Sequence, residues 1–261
     1  MTKLREKVWL WGQTEGSHHI NKNFRVPGRN RMTALEGAVY FGIPNMCRVV
    51  MAGLPNPPFD QEAMVLDRLK NVIWSIIGDG SSGQAVYIDE IIRLAEKYTN
   101  ISGVIMDDFF TETRMEIFTP AYLREIKAEL CEKAPRPLPL WGVIYTQELT
   151  KERRAHLAEC DKISMWTWWS DYLPQLEENY EKLRQLWDGK EIYAGCYMWD
   201  YGNGKEIPDD LMQLQLDTYY KWLREGKIAG MILCSNCCAD VGLKAADMAR
   251  KWMDEHGDEE I

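Results

Sequence analysis

Eight short apolar runs recur along the chain, and each is followed by a stretch in which apolar residues have helical spacing. The runs occupy residues 7–12, 44–51, 71–77, 101–106, 139–145, 162–168, 191–198 and 228–234. Alternation of strand and helix predicts a parallel sheet, and eight repeats at a spacing of roughly 30 residues suit a closed barrel. We therefore predict an α/β fold, a single (β/α)8 TIM barrel, with an open doubly wound sheet as the competing fold.

The helical stretches have one apolar face and recognisable start signals. Thr119 is placed to cap a helix whose first residue is Pro120, a position where the missing N–H of proline is not needed. The acidic tail over residues 254–261 is expected to fray. The apolar spacing predicts helices over residues 33–42, 60–70, 84–98, 119–134, 150–159, 173–187, 208–225 and 242–256.

Length and composition narrow the class of protein. A chain of 261 residues suits one barrel, so we predict a single domain over residues 1–261. No apolar run reaches the roughly 18 residues of a membrane span, and a net charge of -9 without a basic block argues against nucleic acid and membranes as partners. The polar amino terminus and the scattered cysteines favour a cytoplasmic protein without a signal peptide. The expected partner is a small-molecule or glycan substrate, and the sequence does not determine the oligomeric state.

Aromatic residues are abundant and many of them fall near predicted strand ends. The chain has 11 Trp and 12 Tyr. Aromatic faces cover the apolar faces of sugar rings and leave the ring edges free to form hydrogen bonds, so this enrichment predicts a carbohydrate ligand. The tryptophans inside predicted helices are instead expected to pack against the barrel wall, namely Trp187, Trp222 and Trp252.

Two adjacent carboxylates follow the fourth apolar run. Residues 103–106 (GVIM) are typical of a buried strand, and Asp107 and Asp108 come directly after it. Because barrels place their chemistry at the carboxyl ends of the strands, both acids are predicted to face the site. Neighbouring carboxylates cannot both ionise cheaply, so one of them gains a raised pKa and can serve as an acid. The alternative is structural, with one Asp capping the next helix or pairing with Arg114.

The loops after the other strands should converge on the same mouth. Asp200, which follows the seventh run, is a third candidate catalytic acid. The candidate substrate-binding residues also lie at or after the carboxyl ends of the predicted strands, and they are Glu15, His18, Tyr145, Glu148, Trp166, Trp168, Trp199, Asn203 and Asn236.

Three other chemistries find less support in the sequence. A metal site needs three or four ligands, but no HxH or HExxH motif occurs, and the cysteines at 234, 237 and 238 are interpreted as small buried residues. The Gly-rich run at 78–83 lacks a Walker lysine and carries Asp79, which would repel phosphate, so it is interpreted as a flexible rim. No GxSxG motif is present to provide a nucleophilic serine. We predict no cofactor and no metal.

Three local runs resemble those of a known family. Residues 103–110 (GVIMDDFF) are similar to the fourth strand of the O-GlcNAc hydrolases, whose barrels end that strand with an adjacent Asp pair. Residues 165–168 (MWTW) and 198–203 (MWDYGN) are similar to the FWTG-like and LWDN-like runs of that family. The chain departs from the family where residues 11–16 (WGQTEG) replace an EGFYG-like run, and where Asn203 stands three residues after Asp200 instead of directly after it.

The resemblance implies a glycoside hydrolase that acts on a sugar, N-acetylated or not, by acid/base catalysis with the Asp pair. Asp107 would orient and polarise an acetamido group, and Asp108 would protonate the leaving oxygen. Another glycosidase arrangement uses Asp108 as the acid and Asp200 as the nucleophile, and the sequence does not choose between them. Two other classes stay open: a non-catalytic carbohydrate-binding barrel, and a metal-dependent sugar isomerase or aldolase with ligands at Glu15, His18, His19 and Glu148.

Overall fold

The fold is a closed barrel of eight parallel strands. The computed structural model describes residues 2–20, 24–79, 86–189 and 191–261. Strand β1 pairs in parallel with both β2 and β8, so the sheet has no free edge. The predicted (β/α)8 barrel is confirmed, and the competing open sheet is wrong. All eight predicted runs overlap strands, which are β1 Val8–Gly12, β2 Asn45–Val50, β3 Asn71–Gly78, β4 Ile101–Met106, β5 Leu140–Tyr145, β6 Lys162–Trp166, β7 Glu191–Tyr197 and β8 Gly230–Cys234.

Aromatic side chains fill the inside of the barrel in layers. Trp141 packs against Tyr193 and Trp9, with ring centroids 4.1 and 5.4 Å apart. Two residues further along β1, Trp11 meets Trp166 at 5.1 Å. Because the strands are buried on both faces, they read as continuous apolar runs, as parallel strands do. These layers plug the barrel beneath the mouth formed by the carboxyl ends of the strands.

Gly195 on β7 leaves the space that the Trp166 ring occupies. A Cβ atom added to Gly195 would lie 2.0 Å from the Trp166 ring, far inside contact distance. Only a residue without a side chain lets the indole lie against the β7 backbone. The glycine therefore sets the depth of the mouth above the aromatic layers.

Helices surround the barrel and connect its strands. Thr119 caps its helix as predicted, since its side chain accepts a hydrogen bond from the Tyr122 N–H at 3.3 Å. Thr33 and Glu36 form a reciprocal capping box at the start of another helix. The helices are α1 Ser17–Ile20, α2 Ala34–Phe41, α3 Asp60–Leu66, α4 Ile88–Lys97, α5 Glu112–Ile117, α6 Pro120–Lys133, α7 Arg154–Leu157, α8 Leu176–Leu186, α9 Asp209–Arg224, α10 Asn236–Ala239 and α11 Lys244–His256.

The helix predictions differ from the structure in identifiable places. The helix predicted over 150–159 is a 3-10 turn, Lys151–Arg153, followed by the single turn of α7. The first part of the helix predicted over 173–187 is a 3-10 helix, Ser170–Gln175, because Pro174 cannot donate a backbone hydrogen bond. The sequence analysis did not anticipate α1, α5 and α10, which follow β1, β4 and β8. Residues 84 and 85 of the helix predicted over 84–98 lie outside the described residues.

The two chain termini are tied together. Asp258 accepts hydrogen bonds from Lys3 and Arg5 at 2.9 and 3.0 Å, and the Leu4 N–H donates to the Glu259 carbonyl at 2.8 Å. The Ile261 N–H donates to the backbone carbonyl of residue 2 at 3.0 Å. The prediction that the acidic tail frays is therefore wrong, because its charge is matched by basic residues at the other terminus.

The tryptophans predicted to face the barrel wall are buried. Trp222 is fully buried, and Trp187 and Trp252 are nearly so. The Trp222 indole also donates a hydrogen bond to Glu177 at 2.9 Å, which joins α9 to α8. Among the helices of the described residues, none is long and apolar enough to cross a membrane.

Candidate active site

A pocket opens at the carboxyl ends of the strands, in the middle of the mouth. It contains about 490 Å³ of empty space, including its opening to solvent. All eight strands contribute to it, through their last residues or through the residues that follow them. The lining residues are Trp11, Gln13, His18, Phe24, Met51, Asp79, Asp107, Asp108, Val143, Tyr145, Trp166, Trp168, Tyr197, Tyr201 and Cys234.

Three carboxyl groups line this pocket, and they come from neighbouring strands. Asp79 follows β3, while Asp107 and Asp108 follow β4. Asp107 is 6% exposed, and Asp108 is only half-buried. Asp108 has a positive φ of 47°, which is uncommon for a residue other than glycine, and its N–H donates to Asp107 Oδ1 at 2.9 Å. The two adjacent side chains therefore occupy different environments in one pocket.

Burial changes the acidity of Asp107. Removal from water raises the pKa of Asp107 well above its ordinary value, and the charges of Asp108 and Asp79 raise it further. The Arg114 guanidinium and the hydrogen bond from Asp108 act in the opposite direction on the pKa of Asp107, but they do not outweigh burial. Asp107 is thus the member of the pair that most readily holds a proton.

Arg114 on α5 braces the ends of β3 and β4. Its guanidinium donates to the carbonyls of Gly78 at 2.8 Å, Asp107 at 2.9 Å and Asp79 at 2.5 Å. The side chain is nearly fully buried. The sequence analysis considered an ion pair between Arg114 and one Asp side chain as a structural alternative. The hydrogen bonds described here fix the backbone from which two of the pocket acids project.

Tyr145, at the end of β5, holds the other member of the pair. Its O–H donates to Asp108 Oδ1 at 2.8 Å. Burial, together with the charge of Asp108, raises the pKa of Tyr145 well above its ordinary value, so the phenol remains the donor. A hydrogen bond donated to a carboxylate favours the ionised form.

Glu148 supports Tyr145 from behind the mouth. Its Oε2 accepts a hydrogen bond from the Tyr145 N–H at 2.9 Å. Burial raises the pKa of Glu148 to about 7, with a contribution from the charge of Asp108. Glu148 does not line the pocket, so the structure places it next to the candidate acids without placing it against a ligand.

Aromatic rings form the wall opposite the acids. Trp168 stacks on Tyr201, with centroids 5.5 Å apart and planes inclined by 28°. Tyr197 lies 4.8 Å from Tyr201, and Tyr145 lies 5.5 Å from Trp168. Trp166 lies deeper, 4.8 Å from Tyr197. Both Trp166 and Trp168 line the pocket, at different depths, and Trp168 is the more exposed of the two.

His18 lines the pocket from α1. It is 2% exposed, and its Nε2 lies 3.4 Å from the Tyr201 hydroxyl. Among the described residues, its buried Nδ1 has no hydrogen-bond partner. Burial, with a smaller contribution from the neighbouring His19, lowers the pKa of His18 to about 3. The imidazole is therefore neutral at physiological pH.

Asp200 and Asn203 lie outside the pocket. Asp200 is fully buried, and its carboxylate accepts hydrogen bonds from the Ser170 hydroxyl at 2.5 Å, the Asn203 N–H at 2.9 Å and the Asn203 amide at 2.9 Å. These contacts shape the turn after β7. The structure thus gives the predicted third catalytic acid the partners of a turn-forming residue.

Glu15, Trp199 and Asn236 also do not line the pocket. Glu15 is exposed and lines a separate cavity that includes Arg48. The indole of Trp199 donates to the Phe24 carbonyl at 2.7 Å, and Trp199 is 4% exposed. Asn236 is fully buried, and it bonds both the N–H and the carbonyl of Gln13. Trp199 and Asn236 support the loops that form the mouth.

The sequence analysis did not assign Asp79, Gln13, Phe24, Tyr197 or Tyr201 to the site. Asp79 was assigned to a flexible rim because glycines surround it, although its position directly after β3 was a usable signal. Tyr197 ends β7 and could have been found by the same rule. Phe24 and Tyr201 reach the pocket from loops, and no periodicity predicts where a loop side chain will point.

No group of three potential metal-ligating side chains occurs within the described residues. Glu15 and His18, two of the ligands considered for a metal-dependent isomerase, line different cavities. They therefore do not converge on one ion in this arrangement.

Comparison with known proteins gives a likeness of fold. No family model matches the sequence, and no curated protein sequence matches it either. Among solved structures, a GH99 endo-α-mannosidase from Bacteroides thetaiotaomicron is 8% identical with a TM-score of 0.58, over 96% of this chain and 97% of that one. A GH18 chitinase from Cycas revoluta is 11% identical with a TM-score of 0.57, over 94% and 99% of the two chains. A GH113 β-1,4-mannanase is 13% identical with a TM-score of 0.52, over 97% and 99%.

These matches extend over nearly the whole of each chain. The protein shares its (β/α)8 barrel fold with these glycoside hydrolases, and in this chain an adjacent Asp pair follows the fourth strand. Identities this low establish a shared fold and no more, since one fold hosts many activities.

Proposed function

We propose that this protein is a glycoside hydrolase that cleaves its substrate by acid/base catalysis with Asp107 and Asp108. The observation that carries the proposal is the unequal environment of two adjacent acids in one aromatic-walled pocket. Burial favours a proton on Asp107, whereas the hydrogen bond from Tyr145 favours negative charge on Asp108. Glycoside hydrolysis needs this combination of one carboxylic acid and one carboxylate.

The resemblance implies that Asp108 is the proton donor, whereas the environment of the pocket supports Asp107 in that role. Asp107 would donate its proton to the leaving oxygen as the glycosidic bond breaks. Asp108 would stay ionised and stabilise the positive charge that develops at the anomeric carbon. Water then adds its hydroxyl to that carbon, and its proton returns to Asp107. The aromatic wall, with Trp168 at its exposed edge, would cover the apolar face of the sugar.

The group that attacks the anomeric carbon depends on the sugar. An N-acetylated sugar brings its own nucleophile, the acetamide oxygen, and the ionised Asp108 would orient that acetamide through its N–H. A sugar without this group requires a carboxylate to attack or to activate water. Asp200 is poorly placed for that task because its carboxylate is engaged in the turn after β7. Asp79 lines the pocket and is the better candidate.

A panel of nitrophenyl glycosides tests the proposal. It should include gluco, galacto, manno and fuco sugars and their N-acetylated forms, each assayed with added divalent metal and with chelator. Turnover that is unaffected by chelator and is lost in an Asp107→Asn, Asp108→Asn double variant supports a hydrolase. A well-folded protein that binds sugars but turns over none of the panel would favour the carbohydrate-binding barrel, and turnover abolished by chelator would favour metal chemistry.

A further inference from the structure

The charges around the pocket are strongly unbalanced. Its described lining includes the acids Asp79, Asp107 and Asp108 and neither lysine nor arginine. The basic group behind the acids is Arg114, and its guanidinium donates to three backbone carbonyls. Acidic side chains therefore outnumber basic ones among the described lining residues.

The neutral groups of the pocket do not correct this imbalance. Burial lowers the pKa of His18 to about 3, so the imidazole adds no positive charge at physiological pH. No group among the described residues hydrogen-bonds its buried Nδ1, although the side chain lines the pocket. The imidazole therefore leaves the acidic character of the lining unchanged.

The aromatic wall adds a second preference for positive charge. Four rings form a continuous cluster, namely Tyr145, Trp168, Tyr197 and Tyr201. The ring centroids of Trp168 and Tyr197 lie 6.0 Å apart, and those of the other neighbouring pairs lie 4.8 to 5.5 Å apart. An ammonium group within about 6 Å of such ring faces is attracted by their negative potential. Tyr145 joins this wall to the acids, because its hydroxyl is bonded to Asp108.

We infer that the substrate of this pocket is a cationic amino sugar, a glycoside carrying a protonated, unacetylated amino group, and that anionic sugars are excluded. The inference rests on the proposed function, since it names the sugar bound at the same site. The ammonium would lie between Asp108 and the aromatic wall. A carboxylate or sulfate on the sugar would face acidic side chains and no basic side chain among the described lining residues.

Binding of sugars that differ in one substituent tests this inference. The probes are the methyl glycosides of glucose, glucosamine, N-acetylglucosamine and N-sulfoglucosamine, which place a hydroxyl, ammonium, acetamide or sulfate group on the same carbon. The galacto series and the 6-amino sugars are measured in the same way. Dissociation constants come from calorimetry, supported by the fluorescence of the pocket tryptophans.

We expect the best amino sugar to bind about tenfold more tightly than its hydroxyl and acetamide counterparts, which is the effect of one favourable charge contact. The N-sulfated sugar should bind at least about tenfold more weakly than the neutral ones. Added salt should reduce both differences. Asp108→Asn should abolish most of the preference for the amine over the hydroxyl parent. Asp188→Asn is the matched control, because Asp188 is an exposed acid at the other end of the barrel, before β7.

The outcomes separate this inference from the proposed function. The charge preference is overturned if amino sugars bind no more tightly than neutral ones at low salt, whichever of the two carbons carries the amino group. Binding of the neutral sugars would then still leave the hydrolase proposal intact. Tighter binding of the N-sulfated sugar overturns it as well. If no sugar of any charge binds, both the inference and the proposed function fail.

Discussion

The phenol of Tyr145 and the carboxylate of Asp108 are joined by a 2.8 Å hydrogen bond that links the end of β5 to the end of β4. The same tyrosine donates its backbone N–H to Glu148, so its position is fixed at both ends. Asp108 is the more exposed member of the acid pair, and the hydrogen bond from Tyr145 fixes the position of its carboxylate. The carboxyl group of Asp107 is fixed by its burial.

Replacing Tyr145 with phenylalanine should impair catalysis without unfolding the protein. The variant loses the hydrogen bond that favours the ionised form of Asp108, so kcat/KM should fall about tenfold or more, in line with hydrogen bonds to charged groups. Tyr172→Phe is the matched control, since Tyr172 is 47% exposed and does not line the pocket. An unchanged kcat/KM in Tyr145→Phe would contradict the role given to Tyr145.

The buried acid should make stability depend on pH in a definite direction. The pKa of Asp107 is raised in the folded state, so the folded protein binds this proton more tightly than the unfolded chain does. Its contribution to stability is greatest below the ordinary pKa and is lost as pH rises through the folded-state value. Asp107→Asn should therefore stabilise the protein at neutral pH, by about 1 kcal/mol for each pKa unit of the shift. The gain should shrink as pH falls toward 4, and urea unfolding at several pH values measures it. Destabilisation at neutral pH would contradict this account.

Arg114 should matter to both stability and activity. Arg114→Gln leaves buried carbonyls at the ends of β3 and β4 without their donors, and we expect a loss of about 2–4 kcal/mol in the free energy of unfolding. Activity should fall as well, because Asp79 and Asp107 project from the backbone that Arg114 braces. The control is Arg93→Gln, which removes exposed ion pairs with Asp60 and Glu90 and should change stability by less than about 1 kcal/mol. Equal effects of the two substitutions would show that the brace has no special role.

Substitution of two tryptophans should distinguish a role in sugar binding from a role in core packing. Trp168 is half-buried in the pocket wall, so Trp168→Ala should weaken sugar affinity by about tenfold with a modest loss of stability. Trp199 is 4% exposed and bonded to the Phe24 carbonyl, so Trp199→Ala should lower stability by about 3 kcal/mol or more. Calorimetric titration and urea unfolding of both variants measure these effects. A Trp168→Ala protein that keeps full sugar affinity would remove Trp168 from the binding wall.

The fold could be predicted from the sequence because the burial of a strand determines which types of residue it contains. Strands covered on both faces must be apolar at every position, and this requirement made β1 to β8 visible. The same rule located Asp107 and Asp108, since any residue directly after a barrel strand reaches the mouth.

The rest of the site depends on interactions that have no fixed spacing. Asp107 directly follows β4, whereas Asp200 lies in the loop after β7, where Ser170 and Asn203 engage its carboxylate in a turn. The sequence does not show these contacts before the loop is folded. Phe24 and Tyr201 contribute to the aromatic wall from loops, where no period constrains the direction of a side chain.

The central claim is that Asp107 donates a proton to the leaving group while Asp108 acts as the ionised partner, and the dependence of rate on the leaving group tests it most directly. The measurement compares kcat/KM for Asp107→Asn and Asp108→Asn on a pair of glycosides of the same sugar, one with a dinitrophenyl and one with an alkyl leaving group. The account predicts that Asp107→Asn loses about 10²–10⁴-fold on the alkyl glycoside and is largely spared on the dinitrophenyl glycoside, while Asp108→Asn slows both alike. A leaving-group-dependent loss in Asp108→Asn instead would assign the acid role to Asp108, and full turnover of both substrates by both variants would contradict the claim altogether.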